Sequence, residues 1–261
     1  MVYKFKSLAP FSELTHFVST RHGGVSVGEK AGLNLSFNVG DEVAHVIENR
    51  RILAETIGLT SAQFVFPTQT HSSNVKIIST ITATENLAET DALVTNVPTI
   101  CLSVMSADCV PILLFDPVNK VIAAIHAGWR GTVAGIVTKT IEVMTNEFGT
   151  KAPQIIACIG PSISEEVYQV GEEVIKAVSD LFGTTEGLIA MKNENSGMFN
   201  LWEANRQLLL KSGVLANQIE VAGICTFKNS DTFFSYRKSP QTGRFAAGIC
   251  LLKYSIKYSQ T

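Results

Sequence analysis

Ser106 to Thr132 reads SADCVPILLFDPVNKVIAAIHAGWRGT, and the interpretation of this stretch decides the fold. Val110-Pro111-Ile112-Leu113-Leu114-Phe115 is a strand-like apolar run that starts directly after Cys109. Val121 to Ile125 is a second run, ending at His126. Between them Asp116-Pro117-Val118-Asn119-Lys120 has turn chemistry, because proline presets φ and Asp and Asn satisfy backbone groups locally. Paired as an antiparallel hairpin, the start of the first run lies opposite the end of the second. Cys109 and His126 then stand side by side at one sheet end. A thiolate beside an imidazole points to a metal site or an activated nucleophile.

Around this hairpin the composition is that of a globular chain able to bury a sizeable core: 261 residues, 46% hydrophobic and 17% charged. That length suits one large domain or two intimate ones. A net charge of −2 gives no global attraction to nucleic acid or to an anionic membrane. A bound anion therefore needs a local cluster of arginines. No apolar run approaches the roughly 20 residues a bilayer demands, and no signal-peptide core follows the N-terminus. The five cysteines, 101, 109, 158, 225 and 250, are odd in number and scattered, which reads as reduced thiols in a cytoplasmic protein. Nothing in the sequence sets an oligomeric state.

Upstream, Arg21-His22-Gly23-Gly24 offers a guanidinium beside flexible backbone, either an anion site or a solvated glycine turn. Asp41 can cap a helix of about sixteen residues that ends before Gly58. Phe64–Phe66 and Asn74–Ile78 read as strands flanking Gln69-Thr70-His71-Ser72, which leaves His71 in a polar loop. Asp91–Thr95 and Thr99–Val104 are two further strands, the second leading toward Asp108 and Cys109. Downstream, Gly128-Trp129-Arg130-Gly131 is a turn into a helix from about Val133 to Phe148. Its glycines, helix start and Arg130 form either an anion site or a tight turn plugged by Trp129.

Gln154–Ile159 reads as a buried strand carrying Cys158. Ser162-x-x-Glu165 has the pattern of a capping box, predicting a helix to Phe182 with a break at Gly171. Leu201–Lys211 reads as a short helix and Glu220–Cys225 as a strand. Phe233–Lys238 and Thr242-Gly243-Arg244 place basic residues beside aromatics, which suits either an anion site or a solvated turn.

His71, Cys109 and His126 share one setting, a strand end among small or polar residues. Two imidazoles and a thiolate make a three-ligand zinc set with an open fourth position. Copper is the competitor, because the same donors with a weak axial methionine, here Met105, form a blue-copper set. A multicopper oxidase needs several imidazole-rich centres, and five histidines in all argue against one. A third reading has no metal, with Cys109 as nucleophile and His126 as base.

Thr20-Arg21-His22-Gly23-Gly24-Val25-Ser26, Gln69-Thr70-His71-Ser72, Ala107-Asp108-Cys109-x-Pro111 and His126-Ala127-Gly128-Trp129-Arg130-Gly131 together resemble the laccase-domain family. It is also called the multicopper polyphenol oxidase, purine nucleoside phosphorylase or peptidoglycan editing factor family. Cys225-Thr226 and Thr242-Gly243-Arg244 resemble its closing motifs, so the likeness spans nearly the whole chain. The resemblance implies a single α/β (α+β) domain over residues 1–261, with mixed sheets packed together and helices outside. It implies zinc on His71, Cys109 and His126, and phosphorolysis of adenosine, inosine, guanosine and S-methyl-5′-thioadenosine, with adenosine deamination. The partners are then a small nucleoside and phosphate, not a nucleic acid or a membrane.

Within that frame Arg21, Arg130 and Arg244 are candidates for the phosphate cradle, with Gln69 and Gly131 beside them. Asp108, the carboxylate nearest Cys109 in sequence, and His22 are the candidate acid and base. The sequence departs from the family at Arg237-Lys238, where an Arg-Arg pair is usual. A copper-dependent polyphenol oxidase and a hydrolase that removes serine from a UDP-muramyl precursor remain as alternatives.

Overall fold

The hairpin expected at Ser106–Thr132 is the centre of the molecule in a computed structural model that describes residues 1–80 and 87–253. Strands Val110–Asp116 and Val121–Ala127 pair antiparallel with Val110 opposite Ala127, Pro111 opposite His126 and Asp116 opposite Val121. They occupy the middle of a six-stranded sheet ordered Ile219–Val221, Ile156–Ile159, Val110–Asp116, Val121–Ala127, Ala92–Thr95 and Val75–Ile77. Both edge strands run parallel to their neighbours and the inner pairs are antiparallel, so the sheet is mixed. A second sheet of five strands runs Val2–Tyr3, Leu14–Ser19, Phe245–Leu251, Cys101–Ser106 and Phe64–Val65. Gln169–Gly171, Ser196–Phe199 and Ile189–Asn193 form a small third sheet.

The unbroken apolar runs of the hairpin follow from its position, because each strand is covered on both faces. Leu113, Phe115, Ile122 and Ala124 point one way and meet Leu102, Val104, Ala247 and Ile249 of the five-stranded sheet. Ile112, Leu114, Ala123 and Ile125 point the other way, against helices Ile136–Phe148 and Leu201–Lys211. The far face of the five-stranded sheet carries Phe17, Cys101, Ala246 and Cys250, packed with Leu33, Leu35 and Leu53. Leu53 belongs to helix Val43–Thr56, which closes that side. The result is one mixed α/β domain with helix, sheet, sheet and helices in layers, as expected. Residues 254–261 of the expected domain lie outside the described residues.

Four local expectations change, two of them because side chains expected to start a helix are engaged elsewhere. The helix expected from the Ser162 capping box does not start there. Ser162 Oγ donates to the Gly160 carbonyl and accepts from Trp202 Nε1, while Glu165 accepts from Asn200. With both box side chains engaged elsewhere, the chain stays irregular, forms Gln169–Gly171, and turns helical only over Glu172–Phe182. Asp41 likewise does not cap its helix, since its carboxylate accepts from Ser26 and Asn34. The helix expected from Val133 begins earlier as a short turn, Trp129–Val133, breaks at Gly135 with φ 76°, and resumes over Ile136–Phe148. The strand expected over residues 220–225 is shorter, Ile219–Val221.

Phe115 is fully buried between the large sheets and meets Phe11 edge-on at 5.1 Å. Phe115→Ala is expected to cost about 3–5 kcal/mol in chemical denaturation, from lost transfer energy plus the cavity left behind. Val118→Ala, in the exposed turn of the same hairpin, should stay within about 0.5 kcal/mol of the parent.

Candidate metal centre and its cavity

Hairpin register places Cys109 and His126 at the same sheet end, and the loop after Phe64–Val65 brings His71 to them. One ligand atom from each of the three residues lies within 4.8 Å of the other two. The rings of His71 and His126 meet edge-on at 4.9 Å. These donors suit a divalent ion held by two imidazoles and a thiolate with a position left open. Among the described residues, no other group of three or more His, Cys, Asp or Glu side chains is placed to share an ion.

Asp91, fully buried at the start of Ala92–Thr95, holds this arrangement together. Its Oδ1 lies 2.7 Å from His126 Nδ1 and accepts from the His71 backbone N–H at 3.1 Å. Its Oδ2 accepts from the N–H groups of Thr70 and Ser72 and from the Ser72 hydroxyl. A carboxylate can only accept, so the proton of His126 sits on Nδ1 and Nε2 is turned toward Cys109. The same contacts keep His71 at φ 61°, a left-handed conformation that costs energy in a residue bearing a Cβ.

Glycine at position 128 is a steric requirement. A Cβ there would stand 2.9 Å from His71 Cδ2 and 3.0 Å from Cys109 Sγ.

The charges within this cluster are coupled. Burial opposes ionisation of Asp91, but the hydrogen bond and charge of His126, with Ser72, hold its pKa down at about 2. Burial alone would raise the Cys109 thiol; His126 and His71 reverse that and bring it down to about 6. Burial would lower the His126 imidazolium; the Cys109 thiolate and Asp91 overcome it and push it up to about 9. At neutral pH the metal-free pair is thiolate and imidazolium.

The three donors open into a cavity of about 510 Å³, within the usual range for small-molecule sites. Arg237 and Arg244 supply its positive charge, and Tyr168 and Tyr236 supply aromatic wall. Arg244 Nη1 is fixed by the carbonyls of Thr242 and Gly243, and its guanidinium stands 5.7 Å from the Tyr236 ring centre. Burial lowers its pKa against the pull of Cys109 and Asp108. Arg237 stands 5.2 Å from the Tyr168 ring, which stacks on Phe199. Burial drives the Tyr168 phenol well above its usual pKa, so it stays neutral.

Of the residues singled out from the sequence, Gln69, His71, Asp108, Cys109, His126 and Arg244 line this cavity. Gln69 does so with both ends of its amide engaged by the Met105 backbone. The others lie elsewhere. Arg21 donates to the carbonyls of Ser230 and Ala31 and covers Phe234, a tie between loops. His22 is exposed on its turn. Arg130 lies over its own Trp129 ring and 3.6 Å from Glu173. Gly131 lies within the short helix, where a Cβ would press on the Ser72 carbonyl at 3.0 Å. Lys238, the departure from the family pattern, is exposed beside Phe227 and lines no part of the cavity.

Asp91 and Tyr168 were not singled out from the sequence, while Tyr236 and Arg237 lay in the stretch Phe233–Lys238 that suited either an anion site or a solvated turn. Arg237 carried a signal, a basic turn among aromatics. Asp91 carried none beyond an acid opening a strand.

Residues 15–252 match the family described as multi-copper polyphenol oxidoreductase laccase, and the chain belongs to that family. It is 42% identical to a protein of Bacteroides thetaiotaomicron named purine nucleoside phosphorylase, over 95% of this chain and 96% of the relative. It is 35% identical to a protein of an unknown prokaryotic organism named adenosine deaminase RL5, over 88% of this chain and 92% of the relative. The crystal structure of YlmD from Geobacillus stearothermophilus superposes with a TM-score of 0.89 at 30% identity, covering 94% of each chain.

A metal takes the neutral imidazole, so binding at pH 7 must displace the proton that Cys109 and Asp91 hold on His126. Because His126 is raised to about 9, apparent affinity for a divalent ion should climb about tenfold per pH unit between pH 7 and 9 and level off above. Competition against a chromogenic chelator measures this; a flat profile across that range would disprove the ion pair.

Proposed function

We propose that the protein is a zinc-dependent purine nucleoside phosphorylase acting on adenosine, inosine, guanosine and S-methyl-5′-thioadenosine, and that it also deaminates adenosine. One observation carries this reading: a metal-ligand trio, two arginines and two tyrosine rings share a single cavity. Phosphorolysis needs a phosphate site and a surface for the base, and deamination needs an activated water; the cavity holds groups suited to each. Tyr168 and Tyr236 give a purine aromatic wall to pack against, each ring beside one of the two guanidinium groups. Arg237 and Arg244 offer forked donors to a phosphate, a planar match that lysine lacks. The curated relatives named purine nucleoside phosphorylase and adenosine deaminase support the same assignment.

In the reaction a phosphate oxygen forms a bond to C1′ as the bond from C1′ to the base nitrogen breaks. The base leaves with a proton and ribose 1-phosphate remains. Positive charge grows on the sugar, and the arginines hold the phosphate dianion against it, so the nucleophile is positioned and the charge is countered at once. His71, Cys109 and His126 would hold the zinc, with Asp91 fixing the His126 tautomer. When bound, zinc supplies Lewis-acid polarisation at the cavity end and water activation near neutral pH for deamination.

A copper-dependent polyphenol oxidase is the less supported reading, although Met105 lines the same cavity as the three donors. Among the described residues only one such donor cluster exists, and His16, His22 and His45 lie apart from it. His16 is buried, accepts from the Phe5 N–H, and is lowered to about 4 by burial. We place the protein in the cytoplasm because all five cysteines are free thiols, four of them buried. No helix among the described residues is long and apolar enough to cross a membrane.

Zinc-loaded protein incubated with adenosine should yield adenine and ribose 1-phosphate only when phosphate is present, and inosine without it. Release of no base, or reaction only with UDP-muramyl-serine or with a phenol after copper loading, would overturn the assignment. Arg244→Ala should raise the phosphate KM by about 10- to 100-fold, the worth of a hydrogen-bonded charge pair.

A further inference from the structure

We propose that Asp108 is a positioning residue whose carboxylate ties the arginine turn around Arg237 to the strand end that bears Cys109. This deepens the phosphorylase reading and rests on it. Asp108 is the one carboxylate among the residues lining the cavity, and so the obvious candidate for acid or base. Its hydrogen bonds describe a different task. Oδ1 accepts from the Thr226 hydroxyl at 2.6 Å, and Oδ2 accepts from the Arg237 backbone N–H at 2.6 Å. The Asp108 carbonyl accepts from the Ile163 N–H at 3.0 Å. Three segments far apart in sequence therefore converge on the residue next to a metal ligand.

The backbone supports the same conclusion. Asp108 has φ 95°, outside the regions open to a residue with a Cβ, and such a conformation persists only where the surroundings impose it. It is 8% exposed, and Thr226 is fully buried. The next turn is closed by Ser106 Oγ donating to the Cys109 carbonyl at 2.6 Å. Cys109 thus leaves a strained, fully bonded corner in one direction only. The corner also fixes the Arg237 backbone, and with it the root of a guanidinium held over Tyr168. The separation between metal ligand and phosphate donor is set here, and a shift of about 1 Å at a reacting centre can cost about a hundredfold in rate.

Asparagine distinguishes this task from proton transfer. Its carbonyl can still accept from the Arg237 N–H, and its amide can donate to Thr226 once that hydroxyl rotates. It cannot exchange a proton as a carboxyl does. Asp108→Ala is expected to raise the phosphate KM by about tenfold or more, with a smaller fall in kcat and zinc content kept near one per chain. Asp108→Asn should bring the KM back to within about threefold of the parent. Thr226→Val, which removes one donor and leaves the carboxylate, should raise KM in the same direction by about threefold, and serves if the alanine variant does not fold.

The proposal is overturned if Asp108→Asn loses kcat as fully as Asp108→Ala while the phosphate KM stays put, the mark of an acid or base. It is equally overturned if Thr226→Val leaves the phosphate KM unchanged. Calorimetric binding of inorganic phosphate to the zinc-loaded parent and variants separates the two levels of inference. Should the parent bind phosphate but cleave no nucleoside, the phosphorylase reading fails, while the order of affinities among the variants still decides the role of Asp108.

Discussion

Everything at the metal-ligand end of the molecule depends on the buried carboxylate of Asp91. One side chain accepts from three successive backbone N–H groups, one hydroxyl and one imidazole. An isolated carboxylate in that position would be costly to bury, and these donors replace the water it lost. In return it imposes a left-handed conformation on His71 and a single tautomer on His126. Two ligands from different parts of the chain are oriented by the same pair of oxygens. The third, Cys109, is delivered by the hairpin register and by the hydrogen-bonded corner at Asp108.

The sheets explain why the site forms where it does. Both large sheets are buried on both faces, so their faces have no room for polar chemistry. Ionisable groups with work to do must gather at strand ends, where loops supply donors. Cys109 precedes one strand, His126 comes near the end of its neighbour, and Asp91 opens the next. Gly128 then leaves the chain a path past the ligands that any side chain would block. The cavity's positive charge comes from the opposite direction, on the turn at Arg237 and on Arg244 just before strand Phe245–Leu251.

The hairpin and the three donors were legible because they rest on local pattern: two apolar runs, a turn, and polar residues at their ends. Helix Leu201–Lys211 was read to the residue for the same reason. The capping-box helix at Ser162 failed because Trp202 and Asn200, some forty residues on, took over the two side chains that would have started it. Strands Leu14–Ser19 and Phe245–Leu251, the spine of the second sheet, went unread, although Ser239-Pro240-Gln241-Thr242-Gly243 is turn chemistry just before the second. Arg21, Arg130 and Arg244 looked alike as arginines beside glycine. All three hold partners in the fold, and only packing decides that Arg244 lines the cavity while Arg21 and Arg130 do not.

The sequence by itself determined the central hairpin and the identity of the donor trio, because periodicity, turn chemistry and residue type act over short distances and survive in one dimension. The mixed α/β architecture followed from the resemblance to a known family. Tertiary structure alone decided which arginines and aromatics share the cavity, that Asp91 orients two ligands, and that both oxygens of Asp108 are spent on Thr226 and Arg237. Those facts are contacts between segments up to 129 residues apart. A hydrogen bond across such a separation leaves no periodic trace in the chain, and comes into being only when the sheets set its two ends side by side.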